Sequence, residues 1–461
     1  MQDFDVMGYG DILRGKNVLL LVTGSIAVYK ALELASWLKK QGGNVRVVMS
    51  EEAKKFVTPL SFEAILHTRV LHAGSEDWVQ PAGRDGGDSV ADRVACDGGA
   101  GRIDGREGNS RKGGVCHDSV ACQHIAYARW ADIAILAPAS ANTLAKIATG
   151  VADGLVLCTL LACKAPKILA PAMNTAMFEA QATQRNLRLL ADDGFVIIPP
   201  RVSLLACDSV GNGAMASIEE IVFGLWSQLH SEPFWQGKDV VITGGGSVER
   251  IDAVRYISNH SSGLQASFLA LAFALLGANV RLIASAFPIK LPLCVQCVEV
   301  RDSASYLVAI ERTCEELASK ERVYLLMAAA ISDYVPERQF DGKLKKDAIG
   351  AMWELRCRQN VDVLKSICAP NLFKIGFKAE TDEANAIESA KKMLQSPVDG
   401  GKGCEAVCLN LIGAHNPFGS PNNAMVLLAK DKKGGMLTHR TGYKDKLSIG
   451  FEIATFIRNL C

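Results

Sequence analysis

Small and polar residues follow four predicted strands in the first half of the chain. Gly24-Ser25-Ile26-Ala27 follow the first apolar run, Ser50 follows the second, Ser140 and Asn142 the third, and Asn174 the fourth. A strand that leads through small residues into a helix exposes backbone N–H groups and the positive end of the helix dipole, which bind phosphate. Tight turns and helix caps use the same residue types, but four such clusters at one edge of a sheet predict a site for a phosphorylated ligand.

A second turn of this kind opens the other half of the chain. Thr243-Gly244-Gly245-Gly246-Ser247 follows an apolar run, and a polar loop that contains Asn259 then precedes an apolar helix pattern. The turn lacks the G-x-G-x-x-G spacing and the acidic residue about 20 positions later that mark a dinucleotide site. The two turns together predict two nucleotide-type sites.

Two further side chains of the first half have the chemistry for acid–base catalysis. His124 begins an amphipathic stretch, where an imidazole is either a general base or anion partner, or simply a histidine on a helix surface. Cys207 lies in a loop of small residues, where an accessible thiol can donate a proton or attack a substrate. Cys294 and Cys297 are spaced C-x-x-C but have no matching second pair, so a metal or redox role is the weaker interpretation.

Charged and small residues also follow a strand-like run of the second half. Ala328-Ala329-Ala330 and Asp333 come directly after this run, and Lys343, Lys345 and Lys346 come soon afterwards. Lysines usually mark a solvated face. On a flexible loop beside an acidic strand end they can instead close over a triphosphate, with magnesium neutralising the remaining charge.

The elements that must position these residues alternate between strand-like runs and helical patterns, which predicts a doubly wound, parallel α/β sheet in each half. The predicted strands begin near residues 18, 45, 133, 167 and 195, and again near 240, 279, 323, 373 and 406. We place an N-terminal extension at 1–15, a first domain at 16–230 and a second at 237–461. Residues 74–123 are rich in glycine and charge, which predicts a mobile insertion.

The bulk composition excludes several classes of protein. The 461 residues suffice for two domains, and 50 Lys and Arg balance 49 Asp and Glu without a basic stripe, so nucleic acid is not an expected partner. No apolar run is long enough to span a bilayer and the N-terminus has no signal pattern, so we expect a soluble, cytoplasmic protein without a membrane partner. The 14 scattered cysteines predict free thiols.

The first half, over about residues 16–225, resembles the flavin-dependent phosphopantothenoylcysteine decarboxylases. The resemblance is carried by Thr23–Lys30, Ser61–Ala64, His124 with Ala131-Asp132, Ala137–Asn142, Pro171–Asn174, and Ala206-Cys207 with Gly211-Asn212-Gly213. It implies a flavodoxin-like domain in which FMN oxidises the cysteine moiety of the substrate, CO2 is lost, and reduced FMN returns the electrons. It also implies active sites formed between neighbouring subunits.

The resemblance assigns roles by position. Gly24, Ser25, Ile26, Ala27 and Ser50 would hold the phosphate and ribityl chain of FMN, and Ser140 and Asn142 would lie near the flavin and substrate. His124 would be the catalytic base or carboxylate anchor, Asn174 would bind the substrate carboxylate, and Cys207 would protonate the enethiolate intermediate.

The second half, from about Gly237, resembles the phosphopantothenate–cysteine ligase domain, mainly through the run from Arg255 to Gly263. Both halves in this order resemble the bacterial bifunctional coenzyme A biosynthesis proteins. The resemblance implies that CTP, with Mg²⁺, activates the carboxylate of 4′-phosphopantothenate as an acyl-cytidylate, and that the amine of cysteine then displaces CMP. It further implies a homo-oligomer with trimeric decarboxylase and dimeric ligase contacts.

By the same match, the cytidine nucleotide would contact Ala328, Ala329, Ala330, Asp333, Lys343, Asn360, Asp362, Phe377 and Lys391. Lys343 would favour formation of the acyl-cytidylate and Asn259 would bind it, whereas Asp252 and Arg255 would shape the loop. The metal ligands are not predicted. Three departures from the family pattern predict weaker nucleotide affinity: the Gly-Gly-Gly-Ser turn, the segment 359–362, and Gln395 where the family has a second lysine.

Two alternatives stay open at this point. One is a flavin-binding regulatory protein of the same fold, and the other is a fused flavoprotein and dinucleotide-dependent oxidoreductase. His124, Asn174 and Cys207 together favour an enzyme over the regulatory protein, because binding FMN does not require all three.

Overall fold

The computed structural model describes residues 13–75, 122–204, 210–345, 352–413, 416–417, 419–431 and 433–461. The chain forms two compact units, one ending at Ile218 and the other beginning at Glu219. Most of the predicted insertion at 74–123, the N-terminal residues 1–12 and Cys207 lie outside the described residues.

In the first unit, strands and helices alternate along the chain: β1 (Asn17–Val22), α1 (Val28–Lys40), β2 (Asn44–Met49), α2 (Pro59–Leu66), α3 (Gln123–Trp130), β3 (Ile133–Ala139), α4 (Ala141–Ala148), α5 (Leu155–Ala162), β4 (Lys167–Pro171), α6 (Thr175–Glu179), α7 (Gln181–Asp192), β5 (Val196–Ile197), β6 (Arg201–Leu204) and β7 (Val210–Ala214). Strands β1 to β5 form a parallel sheet in the order β2-β1-β3-β4-β5. This is the flavodoxin-like order, so the fold predicted for the first domain is confirmed.

The central strands of this sheet are apolar apart from Asn17 at the start of β1 and Lys167 at the start of β4, because helices cover both faces. Every residue of β3 is buried, and Val18 of β1 lies between Val45 of β2 and Ile133 of β3. The sequence pattern over 175–191 predicts a single helix, which is wrong in one respect, since extended backbone at Ala180 divides it into α6 and α7. Alanine favours helices, so the residue type at the break offered no signal of it.

An antiparallel hairpin of β6 and β7 packs over the segment that follows β4. The Met173 N–H donates to Gly213 O over 3.0 Å. A Cβ at Gly211 would lie 2.1 Å from Thr175 Oγ1, and one at Gly213 would lie 2.3 Å from Met173 O. Glycine is therefore required at both positions for the hairpin to approach this closely.

The second unit contains these elements: α8 (Ile218–His230), β8 (Asp239–Gly244), β9 (Val248–Arg250), β10 (Tyr256–Ser258), α9 (Leu264–Leu275), β11 (Asn279–Ala284), β12 (Gln296–Glu299), α10 (Ser303–Glu316), β13 (Val323–Met327), β14 (Tyr334–Pro336), β15 (Cys357–Gln359), α11 (Val363–Ser366), β16 (Leu372–Glu380), α12 (Glu383–Met393), β17 (Ala406–Leu411), β18 (Asn422–Asn423), β19 (Met425–Lys430), β20 (Met436–Arg440), β21 (Lys444–Asp445) and α13 (Lys446–Leu460).

The main sheet of this unit has the order β12-β11-β8-β13-β16-β17-β19-β20. The strands from β12 to β17 are parallel, as predicted, whereas β19 and β20 add to the sheet in antiparallel orientation. Only five residues join β19 to β20, too few for a parallel crossover. Helix α9 is almost entirely buried between this sheet and α13, and a Cβ at Gly450 of α13 would lie 2.8 Å from Ala272 Cβ.

The contact boundary between the units lies upstream of the predicted linker at 231–236. Helix α8 contacts the second unit, where Phe223 packs against the apolar core and His230 stacks on Phe451. One face of α8 therefore lies on the second unit although its sequence precedes the polar stretch.

Neither thiol pairing nor a membrane span is found in the described part of the chain. Each cysteine there is a free thiol, which agrees with the sequence prediction. In the same residues, no helix has the length and apolar character needed to cross a bilayer. The predicted cytoplasmic location stays a prediction.

Candidate functional sites

A cleft of about 670 Å³ lies at the carboxyl edge of the first sheet. Its lining includes Gly24 and Ser25 after β1, Ser50 after β2, and Ser140 and Asn142 after β3. The cleft has the size usual for small-molecule sites. The structure thus brings together five of the residues predicted to hold a phosphorylated ligand.

The serines of this cleft also stabilise the local backbone. The hydroxyl of Ser25 accepts from Ala27 N over 3.3 Å, and that of Ser50 accepts from Ala53 N over 3.2 Å. Ser140 caps α4 by accepting from Thr143 N. A hydroxyl that accepts from the backbone can still donate its own proton, so capping by Ser25 and Ser50 leaves an O–H for a ligand.

Thr23 has a role in this cleft that the sequence analysis missed. Its side chain is buried, donates to Pro138 O over 2.7 Å and accepts from Ser140 N over 3.4 Å. The hydroxyl therefore joins the carboxyl ends of β1 and β3 and fixes two walls of the cleft. The position of Thr23 directly before Gly24 was visible in the sequence. Its hydrogen bonds to the end of β3 were not, because they depend on how the strands pair.

Ile26 and Ala27 lie outside the lining of the cleft. The Ile26 side chain is 57% exposed, and that of Ala27 is buried at the start of α1. The predicted contact of these two residues with the ligand stays a prediction.

Of the predicted catalytic residues, Asn174 and His124 are not in the lining of the cleft. Asn174 caps α6, because its Oδ1 accepts from Ala176 N over 2.9 Å. Cys207 lies outside the described residues, but β7, which follows its loop, packs over Met173 and Thr175. His124 is half-buried in the first turn of α3. Among these three residues, the described geometry links only Asn174 to the edge of the cleft.

A second cleft, of about 190 Å³, lies at the carboxyl edge of the second sheet. Four predicted nucleotide contacts are in its lining: Ala328, Ala329, Ala330 and Phe377. The lining also contains Gly245 and the start of α9, which is the second strand–turn–helix unit of the sequence. Small alanine side chains leave room for a ligand directly beside the backbone.

The glycine turn and Asn259 hold the alanine segment in place. Ala330 N donates to Gly245 O over 2.8 Å, and Asn259 Nδ2 donates to Ala330 O over 3.4 Å and to Ile331 O over 3.3 Å. A Cβ at Gly246 would lie 2.6 Å from Asn259 O. Glycine at this position therefore permits the close approach of the turn and the loop.

Asp252 and Arg255 tether the segment that carries Lys343. Asp252 is 2% exposed and accepts from Val254 N, Arg255 N and Leu344 N, while Arg255 Nη2 donates to Leu344 O. Burial raises the pKa of the Asp252 carboxyl, but the three backbone hydrogen bonds and the Arg255 charge outweigh it and hold the pKa below its usual value. The predicted loop-shaping role of both residues matches these contacts, and Lys343 itself is exposed.

The remaining predicted nucleotide contacts lie outside the lining and have structural partners. Asn360 donates from N to Asp333 O and from Nδ2 to Ser332 O, each over 2.8 Å. Asp362 caps α11 and pairs with Lys402. Lys391 pairs with Glu388 one turn earlier on α12. Asn360 and Asp362 position the local backbone in the described geometry, and contact of the three residues with a nucleotide stays a prediction.

Several residues of the second cleft were not predicted as site residues: His260, Gln265, Lys378, Asn410, Asn423 and Lys446. Asn410 ends a predicted strand, which was a usable signal. Asn423 and Lys446 arrive through the unpredicted antiparallel strands and the last helix. Within the described ranges, no three His, Cys, Asp or Glu side chains are placed to hold a metal ion.

Comparison with known proteins covers both units. Residues 9–230 match the family model described as Flavoprotein, and residues 235–460 match the DNA/pantothenate metabolism flavoprotein C-terminal domain. The Coenzyme A biosynthesis bifunctional protein CoaBC of Vibrio cholerae is 32% identical over 428 residues, 91% of this chain and 93% of that protein. Its Bacillus subtilis counterpart is 33% identical over 449 residues, 96% of each chain. The chain belongs to the coenzyme A biosynthesis bifunctional protein family.

Membership of the coenzyme A biosynthesis bifunctional proteins confirms the predicted function. The chain is an enzyme with a phosphopantothenoylcysteine decarboxylase half and a phosphopantothenate–cysteine ligase half, for which FMN is the cofactor and CTP the co-substrate. Phosphopantothenate and cysteine are the corresponding substrates. Among solved structures, a mutant PPC decarboxylase complexed with pantothenoylaminoethenethiol is 28% identical, covers 47% of this chain and 98% of its own, and has a TM-score of 0.36.

Proposed function

We propose that the two clefts are the two active sites of this enzyme. The first binds FMN and decarboxylates phosphopantothenoylcysteine, and the second binds CTP and joins 4′-phosphopantothenate to cysteine. The main support is that each cleft lies at the carboxyl edge of a parallel sheet, where α/β proteins bind ligands. Each is also lined by residues that the sequence alone singled out.

The donors of the first cleft fit FMN. Gly24 and Ser25 precede α1, whose N-terminal backbone suits a phosphate, and Ser50 adds a hydroxyl for the ribityl chain. Two carboxylates of the lining are neutralised, because Glu51 pairs with Lys54 and Asp153 with Lys146. When bound, FMN supplies the transfer of electrons from and back to the cysteine moiety of the substrate.

The protein residues of the decarboxylase half bind the substrate and move protons. Asn174 binds the substrate carboxylate while its Oδ1 keeps the cap of α6. Cys207 Sγ donates the proton that the enethiolate product of decarboxylation requires. His124 acts as base or carboxylate anchor. Since His124 is not in the lining of the cleft, we assign it to the cleft of a neighbouring subunit in a trimer.

In the ligase half, Ala328 to Ala330 and Phe377 enclose the cytidine nucleotide. Asn360 and Asp362 hold the surrounding backbone. The remaining predicted nucleotide contacts are Asp333 and Lys391. Lys343 stabilises the charge that develops as the carboxylate attacks the α-phosphate. Asn259 binds the acyl-cytidylate. Mg²⁺ enters with CTP. Exposed Tyr256 and Tyr334 suit the predicted dimeric contact.

Product analysis tests the proposed function and separates it from the alternatives. With phosphopantothenate, cysteine, CTP and magnesium, we expect release of CMP, pyrophosphate and CO2 and formation of 4′-phosphopantetheine. Consumption of NAD(P)H without CMP would favour a dinucleotide-dependent oxidoreductase. Flavin binding with no product at all would favour a regulatory protein.

Gly24→Ala should weaken retention of FMN. The added methyl would lie 2.4 Å from Glu52 Cβ, so the turn after β1 would move out of the cleft. Overpacking typically costs 1–3 kcal/mol, which corresponds to a loss of about 10- to 100-fold in affinity. Visible absorbance of the purified protein measures the bound flavin.

Gly154→Ala is the matched control for this change. Gly154 lines the same cleft, but a Cβ there meets no atom within 4 Å. This variant should keep its flavin. Equal retention in both variants would contradict the proposed place of the phosphate beside Gly24.

A further inference from the structure

One wall of the second cleft is formed by Lys446, the first residue of α13, and by Asn423 in β18. Both side chains are more than nine-tenths buried, and both line the cleft. The Lys446 ammonium donates to Ser420 O and to Asn422 O, the latter over 3.3 Å. An ammonium has three donors, so these two carbonyls leave one N–H of Lys446 for another acceptor.

Gln265 continues this wall from the first turn of α9. Its Oε1 accepts from Asn423 Nδ2 over 3.2 Å, whereas its Nε2 is buried and has no hydrogen-bond partner. A buried donor without an acceptor is unfavourable. An acceptor atom of a ligand in the cleft would satisfy it.

The charge of the cleft indicates what such a ligand is. Its lining contains Lys446, Lys378 and His260 but, among the described residues, no Asp or Glu. Outside the lining, Glu380 at the end of β16 pairs with Lys378 over 3.1 Å. Helix α9 begins beside these groups. Its first N–H, on Leu264, donates to Ser262 Oγ over 3.4 Å, and the positive end of the helix dipole still favours an anion here.

We propose that Lys446 and Gln265 bind the phosphate chain of CTP as a second wall of the ligase site. The proposal rests on the function assigned above to this cleft. Lys446 contributes the charge and Gln265 a neutral N–H donor. Asn423 is a positioning residue that orients Gln265 through the 3.2 Å hydrogen bond.

Protonation gives this wall a measurable signature. Burial lowers the pKa of the Lys446 ammonium to about 8. A bound polyphosphate stabilises the charged form, so the protein should take up protons when CTP binds near pH 8, and affinity should fall as the pH rises above that value. The other charged or titratable groups near Lys446 are His260 and Lys378 of the lining, Glu380, which pairs with Lys378, and Asp445, which caps α13 directly before Lys446.

Calorimetric titration of the full-length protein with CTP and Mg²⁺ tests the proposal. Titrations near pH 8 in two buffers with different ionisation enthalpies report the protons taken up. Lys446→Met should weaken binding roughly 10- to 100-fold and abolish the uptake. Lys446→Arg should retain most of the affinity without the uptake, because arginine stays charged. Gln265→Glu should weaken binding by repelling phosphate.

Lys444→Met is the matched control, since Lys444 pairs with Glu452 and does not line the cleft. It should bind CTP as the wild type does. Thermal melting and decarboxylase activity verify that each variant is folded, and Lys446→Arg keeps the test decisive if Lys446→Met does not fold.

If Lys446→Met or Lys446→Arg showed both the affinity and the proton uptake of the wild type, the proposed role of Lys446 in binding the phosphate chain would be wrong. The proposed function of the cleft would still stand. A wild-type protein that ligates normally but takes up no protons on binding CTP would also overturn the role of Lys446. Failure of the wild type to bind CTP would overturn both proposals.

Discussion

Lys343→Gln is expected to lower ligase activity by roughly 100- to 1,000-fold, the usual cost of removing one group that stabilises transition-state charge. Its segment is held by Asp252 and Arg255 through the backbone of Leu344, so the glutamine should occupy the same place without the charge. Single-turnover formation of acyl-cytidylate measures the effect. Decarboxylation of added phosphopantothenoylcysteine should not change.

Lys345→Gln provides the matched control, because Lys345 is exposed two residues further along the same segment. We expect it to retain near wild-type ligase activity. An equal loss in both variants would mean that the general charge of the segment matters, and normal activity of Lys343→Gln would remove Lys343 from the mechanism.

Asn174→Asp should retain the fold and FMN yet lower decarboxylase activity about 100-fold or more. Aspartate caps helices as well as asparagine does, so the bond from Ala176 N to the side chain of residue 174 is preserved. The amide donor, however, becomes a carboxylate that faces the substrate carboxylate, and such like-charge contacts cost several kcal/mol. Release of CO2 from phosphopantothenoylcysteine is the measurement.

Asn174→Ser separates the two roles of this residue. Serine also caps a helix but has neither the amide donor nor a negative charge, so its activity should lie between those of the wild type and the aspartate variant. A large drop in melting temperature in either variant, with activity per folded molecule preserved, would show that capping is the whole role of Asn174.

The parallel strands at the centre of both sheets were predictable because the residues that mark each strand lie within it or directly beside it in the sequence. Each central strand is a short apolar run between turn residues, and β1 and β8 each begin one residue before the predicted position. The antiparallel strands β19 and β20 were missed, since their place depends on pairing with β17 rather than on their own pattern.

The site residues also divide into those that local sequence reveals and those that only the packing of distant elements brings together. Ser25, Ser50 and Ala328 to Ala330 were found because a strand end is visible in the sequence. Gln265 and Lys446 were missed because they meet only after α13 packs on α9, and no local spacing joins positions so far apart. Asp362 was predicted as a ligand contact from the resemblance, but its cap and its ion pair with Lys402 appear only in the structure.

The position of α8 determines where this fused enzyme can be divided. A cut within 231–236 would leave the ligase half without the helix whose Phe223 packs against its apolar core and whose His230 stacks on Phe451. A cut just before Ile218 would keep these contacts within the ligase half. We therefore expect a separately expressed ligase half to melt at a higher temperature with the second division, although the sequence families themselves meet between residues 230 and 235.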